Sequence, residues 1–321
     1  MQLVFTDLPE QISRRIPEYM SDAPLSWRIQ QPGCETVEEV ITAAAGASGL
    51  IPWFAPITAE VIERLPTLRV IALPYVGADH IALDSAERNR VWITNVPDGN
   101  RLEVASHTVA MMLSLLRGLP AMDRAVREGN WHYMAGGVLH RCTTLTLGII
   151  GCGGIGRQVA KFAGSMFQRT LGFDPAISVT EWPSHIERVE SLESMLTQSN
   201  ILTLHVPLTP QTNDLINYDL LRKLPKGSYL VNAARGAVVN TIDLISALDE
   251  GILAGAALDV LPTEPPQPHD PVLSHPKIIL SPHAAAYSEE SREETMRRAI
   301  ASVADVVQGN KPRDVIIQGR L

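Results

Sequence analysis

The stretch Leu145-Thr146-Leu147-Gly148-Ile149-Ile150-Gly151-Cys152-Gly153-Gly154-Ile155-Gly156 constrains this chain more than any other. Its apolar first half reads as a buried strand, and it runs directly into Gly-x-Gly-x-x-Gly, a tight turn that opens a helix. In that reading Gly151 allows the turn and Gly153 lets backbone approach a pyrophosphate. Gly156 lets a helix over residues 158–167 pack on the strand. With Gly154 and Ile155 between them, the phosphates meet a helix start, where unpaired amides and the dipole favour anions. Glycines also gather in turns that bind nothing, so the neighbourhood has to decide.

The neighbourhood supports a dinucleotide. A second strand, Thr170-Leu171-Gly172-Phe173, ends in Asp174, 23 positions after Gly151. An acidic side chain at that place accepts the ribose hydroxyls of NAD. Neither Lys nor Arg occurs from residue 175 to 187, so nothing nearby neutralises a 2′-phosphate, and Asp174 itself repels one. NADH is therefore expected over NADPH. The plainer reading of Asp174 is a cap on the turn before Pro175.

The chain's 321 residues allow about two domains with sizeable cores. A hydrophobic content of 45% with 19% charged residues suits an α/β protein. The net charge of −8 and the lack of a long basic run argue against a nucleic-acid or acidic-membrane surface. Cys34, Cys142 and Cys152 are widely spaced without a C-x-x-C, so neither a disulfide framework nor a metal site is expected, and a reducing cytoplasm fits. The N-terminus lacks the basic start and apolar core of a signal peptide, and no run reaches membrane-spanning length.

Up to about residue 97 the sequence alternates strand and helix patterns: Leu3-Val4-Phe5, an amphipathic 37–45, Gly49-Leu50-Ile51, 59–65, Arg69-Val70-Ile71-Ala72 and Val91-Trp92-Ile93-Thr94. This predicts a small parallel α/β domain, with the turn-rich residues 95–100 as a hinge. Within it Tyr75-Val76-Gly77-Ala78-Asp79 follows a strand, so Val76 and Gly77 can present bare amides that suit a carboxylate; an ordinary strand-to-helix turn is the alternative. Residues 100–127 form the longest helical pattern, with Asn100 as N-cap, Glu103 completing a capping box, and a broad apolar face that includes Val104. That face is wide enough to cover a core and a partner subunit. His107 and Trp131 read as packing residues.

Beyond the glycine turn, strand patterns end at His205-Val206-Pro207, Ala233-Ala234-Arg235-Gly236, Asp259 and Ser281-Pro282-His283. Open parallel sheets bind ligands beyond the carboxyl ends of their strands, so these residues should share one rim. The run over residues 261–276 holds six prolines and carries Glu264 along a fixed path outside regular structure. A last helix is expected over residues 287–310, with Val315-Ile316-Ile317 closing the chain. His283 is the candidate acid–base, oriented and kept protonated by Glu264. Arg235 can grip the carboxylate and carbonyl oxygen of a 2-oxo acid. Singly these residues also read as a turn histidine, a solvated carboxylate and a surface ion pair; jointly, on a nucleotide fold, they read as a site.

These motifs, together with His205-Val206-Pro207-Leu208-Thr209-Pro210 and Ala257-Leu258-Asp259-Val260, resemble those of the D-isomer-specific 2-hydroxyacid dehydrogenases over nearly the full length. The resemblance implies a Rossmann-type doubly wound parallel sheet, residues 99–285, inserted into a smaller flavodoxin-like α/β substrate domain, residues 1–98 and 286–321. It implies a catalytic set of Arg235, Glu264 and His283, with the amides of Val76 and Gly77 receiving the substrate carboxylate. On the cofactor side it adds Val104, Thr212, Ala233, Ala234 and Asp259 to the glycine turn, Asp174 and His205-Val206-Pro207, and Arg235 and His283 border the cofactor too. The substrate implied is a small 2-oxo or 2-hydroxy acid, and dimers are implied through the nucleotide domain.

Formate dehydrogenases of this fold carry Gln where Glu264 stands, so that activity is disfavoured. The length leaves no room for the regulatory domain appended to many phosphoglycerate dehydrogenases. Residues 103–107 and 287–291 are similar to the subgroup related to the C-terminal binding proteins, which makes an NAD-sensing interaction protein the rival expectation. His80, Ser106 and Ala286 depart from the usual Asn, acidic residue and Trp, and all three touch the substrate side.

Overall fold

Two separate sheets account for the strand patterns in the computed structural model, which describes residues 1–21 and 23–320. The chain divides into two compact units, Met1–Asn100 with Ser288–Leu321, and Arg101–Tyr287.

In the first unit β1 (Gln2–Phe5), β2 (Ser26–Ile29), β3 (Gly49–Ile51), β4 (Val70–Ala72) and β5 (Trp92–Thr94) lie parallel in the order β2-β1-β3-β4-β5. The closing strand Val315–Ile317 runs antiparallel beside β5. This is the flavodoxin-like order, whose direction of winding reverses between β1 and β3. Successive side chains of each strand enter opposite layers: Val4, Leu50, Ile71 and Ile93 join one core, and Leu3, Phe5, Ile51, Val70 and Trp92 the other. Burial on both faces explains why these strands read as unbroken apolar runs. The second layer is closed by Met296, Ala299, Ile300 and Val303 of the helix Glu289–Gln308. Ser288 caps that helix by accepting from the Ser291 amide, and Gly309, left-handed at φ +85°, ends it.

The second unit is fully parallel. Its strands are β6 (Thr146–Ile150), β7 (Arg169–Phe173), β8 (Glu187–Arg188), β9 (Ile201–Leu204), β10 (Ser228–Asn232), β11 (Leu253–Leu258) and β12 (Ile278–Leu280). They are ordered β8-β7-β6-β9-β10-β11-β12, the doubly wound arrangement with its reversal between β6 and β9.

Two helices differ from the sequence pattern. The pattern over residues 100–127 is broken: one helix spans Arg101–Leu116, a second spans Leu119–Arg127, and Gly118 joins them at φ +59°. The longest helix is instead Glu289–Gln308. The side-chain oxygen of Asn100, expected as a cap, is buried without a hydrogen-bond partner. The helix after the glycine turn runs Gly154–Ala163, followed by a short 3-10 turn Gly164–Met166, so it starts four residues before the position its apolar pattern suggests. Glycine's poor helix propensity hides that start in the sequence.

Candidate active site

The site residues of the second unit are carried on the carboxyl rim of its sheet. Gly151 sits at φ +89°, and a Cβ there would lie 2.5 Å from the His205 carbonyl oxygen, so the turn after β6 is wedged against the end of β9. A Cβ on Gly156 would stand 2.0 Å from the Gly151 oxygen, which is the close helix-to-strand approach the fingerprint requires. At Gly153 a Cβ would meet no atom within 4 Å. The turn is therefore tight on the protein side and open where a pyrophosphate would lie, so the residues fit a dinucleotide.

Asp174 follows β7 and straps this turn: Oδ2 accepts from the Cys152 amide at 2.9 Å and Oδ1 from the Ala176 amide at 2.9 Å. The carboxylate caps its own turn and still has acceptor capacity for hydroxyls. Val104, Ala233 and Ala285 form a small buried cluster on which Ile155 and Ala286 pack, bringing three of the expected cofactor-side residues together. Thr212 Oγ1 donates to the Pro207 carbonyl at 2.6 Å and accepts from the Thr209 amide, which shapes the loop after β9. His205, at the head of that loop, bonds Thr203 Oγ1 through Nε2 at 3.0 Å, while its Nδ1 is buried without a partner. Burial pushes this imidazole down to about 3, so it is neutral.

The turn after β10 is closed by Asn232, whose side chain donates to the Arg235 carbonyl at 2.9 Å and accepts from the Ala234 amide at 3.0 Å. Arg235 Nη1 donates to the Ala234 carbonyl at 2.7 Å. Gly236 is required by its neighbour: a Cβ would fall 1.9 Å from the Leu261 carbonyl carbon. The Arg235 turn thereby packs against the loop that carries Glu264.

Glu264 accepts from the Leu261 amide through Oε1 at 2.8 Å and meets His283 Nδ1 through Oε2 at 2.6 Å. Burial pushes the Glu264 carboxyl up, but the bonds from His283 and the Leu261 amide, with the charges of His283 and Arg235, hold it below the usual range. The same bond raises His283 above its ordinary value against partial burial, and the charges of Glu264 and Asp259 add to the rise. With Nδ1 engaged, Nε2 is the ring nitrogen available for proton transfer.

His283 holds a left-handed backbone at φ +50°, unusual for a residue with a side chain. Asp259 secures it. The Asp259 carbonyl accepts from the His283 amide at 2.7 Å. Its carboxylate takes Ser281 Oγ at 2.5 Å, the Ala284 amide at 2.9 Å and the Ala285 amide at 3.0 Å. At 2% exposure Asp259 spends its oxygens on this loop. His107 Nε2 bonds Ser281 Oγ at 2.9 Å, so His107 belongs to this network and is more than a packing residue. Trp131 is not a packing residue within the chain: it is 87% exposed. Ser281 was legible as the residue two before His283, but its link to Asp259 was not, because such bonds leave no periodic trace.

In the first unit, the loop after β4 is held by Asn95 Nδ2, which donates to the Val76 carbonyl at 2.7 Å, and by the Val96 amide on the Tyr75 carbonyl at 3.1 Å. The amides of Val76 and Gly77 donate to no acceptor among the described residues. Of the departures, His80 Nε2 meets Tyr75 Oη at 3.1 Å, Ser106 Oγ donates to the Glu103 carbonyl at 3.0 Å, and Ala286 packs on the Val104 cluster.

Comparison with known proteins agrees with this geometry. Residues 109–285 match the model of the D-isomer specific 2-hydroxyacid dehydrogenase, NAD binding domain. The chain is 35% identical over 266 residues to a glyoxylate reductase of Thermofilum pendens, covering 80% of this chain and 77% of that protein. It is 33% identical over 325 residues to a glyoxylate reductase of Korarchaeum cryptofilum, covering 98% and 95%. The crystal structure of D-lactate dehydrogenase from Aquifex aeolicus, complexed with NAD and lactic acid, superposes with a TM-score of 0.86 at 27% identity, covering 98% of this chain and 99% of that one. The chain spans about half the length of D-3-phosphoglycerate dehydrogenases it also matches. It belongs to the D-isomer-specific 2-hydroxyacid dehydrogenases, NAD-dependent oxidoreductases acting on the CH–OH group of donors. Among the described residues no helix is long and apolar enough to cross a membrane.

Proposed function

We propose that the chain interconverts a small 2-oxo acid and its D-2-hydroxy acid, with His283 as acid–base, Glu264 as its partner and Arg235 on the reacting carbonyl. The observation that carries this reading is the 2.6 Å bond between His283 Nδ1 and Glu264 Oε2, within the field of Arg235. NAD(H), when bound, supplies or accepts the hydride. During reduction His283 gives a proton to the 2-oxo oxygen; during oxidation it takes the hydroxyl proton back. Arg235 polarises the carbonyl and stabilises the charge that develops on its oxygen. The unbonded amides of Val76 and Gly77 receive the substrate carboxylate.

NADH is preferred over NADPH, a reading supported by Asp174 and by the absence of Lys and Arg from residues 175 to 187. The protein acts as a homodimer through its second unit. Leu119, Val126, Trp131, Tyr133, Met134 and Val138 support this, being large apolar side chains 45% to 87% exposed within one short stretch. A cytoplasmic setting suits the three free cysteines.

The test is NADH oxidation by purified protein with a panel of 2-oxo acids. Turnover of one or more is expected, and turnover of none contradicts the assignment.

A further inference from the structure

Asp259 is the one buried carboxylate among the described residues, and of the four hydrogen bonds it accepts from them three come from the backbone amides of His283, Ala284 and Ala285. Those donors are fixed. The fourth, the Ser281 hydroxyl at 2.5 Å, is a rotor with a single proton. Its other neighbours are His107 Nε2 at 2.9 Å and Met111 Sδ at 3.8 Å, which stand one turn apart on the helix Arg101–Leu116. Asp259 and Ser281 directly follow β11 and β12, neighbouring strands, so three elements of the second unit converge on one hydroxyl.

Proton count decides which way these bonds run. A hydroxyl that gives its proton to a carboxylate can only accept from a third group, so Nε2 of His107 carries hydrogen and donates to Ser281 Oγ. With Nε2 bare, the ring would draw the Ser281 proton to itself and take a donor from Asp259 Oδ1. The same Nε2 lies 3.5 Å from Oδ1, so its hydrogen also faces the carboxylate's charge. A buried carboxylate that loses a donor is costly, and the loop it holds is the part free to give way. That loop keeps His283 at φ +50°.

We infer that His107 is a positioning residue: its Nε2–H holds the Ser281 hydroxyl on Asp259 and so keeps the His283 loop in the turn that aims the imidazole. The inference rests on the reading of His283 as acid–base given above. His107 is bonded to Ser281 and not to His283, so it acts at one remove. A catalytic group displaced by about 1 Å loses on the order of 10²-fold in rate, and a loosened loop should forfeit part of that.

The test is a cycle of His107→Ala, Ser281→Ala and the double variant, with His107→Gln beside it, assayed with the best 2-oxo acid of the panel. NADH affinity by fluorescence and circular dichroism accompany each protein. His107→Ala should lower kcat about 10-fold while the KM of the 2-oxo acid and the Kd of NADH stay within about 2-fold. In the Ser281→Ala background the same substitution should cost nothing further, because the group it acts through is gone. The side-chain nitrogen of Gln lies as many bonds from Cα as Nε2 of His and donates, so His107→Gln should recover most of the rate. An unchanged kcat in His107→Ala, equal losses in His107→Ala and His107→Gln, or losses that multiply in the double variant overturn the inference and leave the dehydrogenase reading intact. Should His107→Ala not fold, His107→Asn, one bond too short to reach Ser281, takes its place in the cycle with the same outcomes. Absence of wild-type turnover with every acid overturns both readings.

Discussion

His205 and His283 stand at the carboxyl ends of two strands in one parallel sheet, yet their surroundings shift their proton affinities in opposite directions. His205 is enclosed without an anion, and desolvation alone drives its imidazole down to about 3. His283 is more open to solvent and bonded to Glu264, which raises it above the ordinary value of 6.5. The two rings differ in their partner, not in their place on the sheet. Of these two rings, His283 is therefore the one suited to exchange a proton during turnover.

Substitutions at the rim separate the two rings by their effect on turnover. The largest effect is expected for His283→Ala, which should lower kcat/KM by about 10³-fold, roughly 4 kcal/mol of barrier, while NADH binding measured by fluorescence persists. Arg235→Lys keeps the charge but loses the planar fork; a fall of about 10²-fold in kcat/KM is expected, and a fall under about 3-fold would remove Arg235 from the carbonyl. Glu264→Gln should cost about 10-fold at neutral pH because the ring then loses its proton at lower pH, and steady-state assays across pH check this. Asp174→Ala should raise the ratio of NADPH to NADH efficiency by about 10-fold. His205→Asn completes the comparison: whatever it does to rate, the pH at which activity falls should not move.

Most of the second unit was legible in the sequence because each rim strand is an unbroken apolar run that ends in a polar residue or glycine turn. His205, Arg235, Asp259 and His283 could be placed on one rim from that pattern and the rule that ligands bind beyond strand ends. In the first unit the clamp that Asp7, after β1, puts on the loop after β3 was hidden, because its carboxylate reaches the amides of Trp53, Phe54 and Ala55, 46 to 48 residues away. The break at Gly118 was hidden because apolar residues continue across it at helical spacing. Pro120, in the first turn of the second helix, was the available signal. The left-handed φ of His283 has no trace in the sequence, since it is imposed by Asp259 from another strand end.

The pH dependence of kcat/KM in both directions decides whether His283 is the group that moves the proton. A raised His283 is protonated below its shifted value and neutral above it. Reduction should therefore fall, and oxidation rise, as pH passes through one value above 6.5. In Glu264→Gln both curves should move together to lower pH. Curves that stay in place in that variant, or that move in His205→Asn instead, would contradict the assignment of His283 as the acid–base.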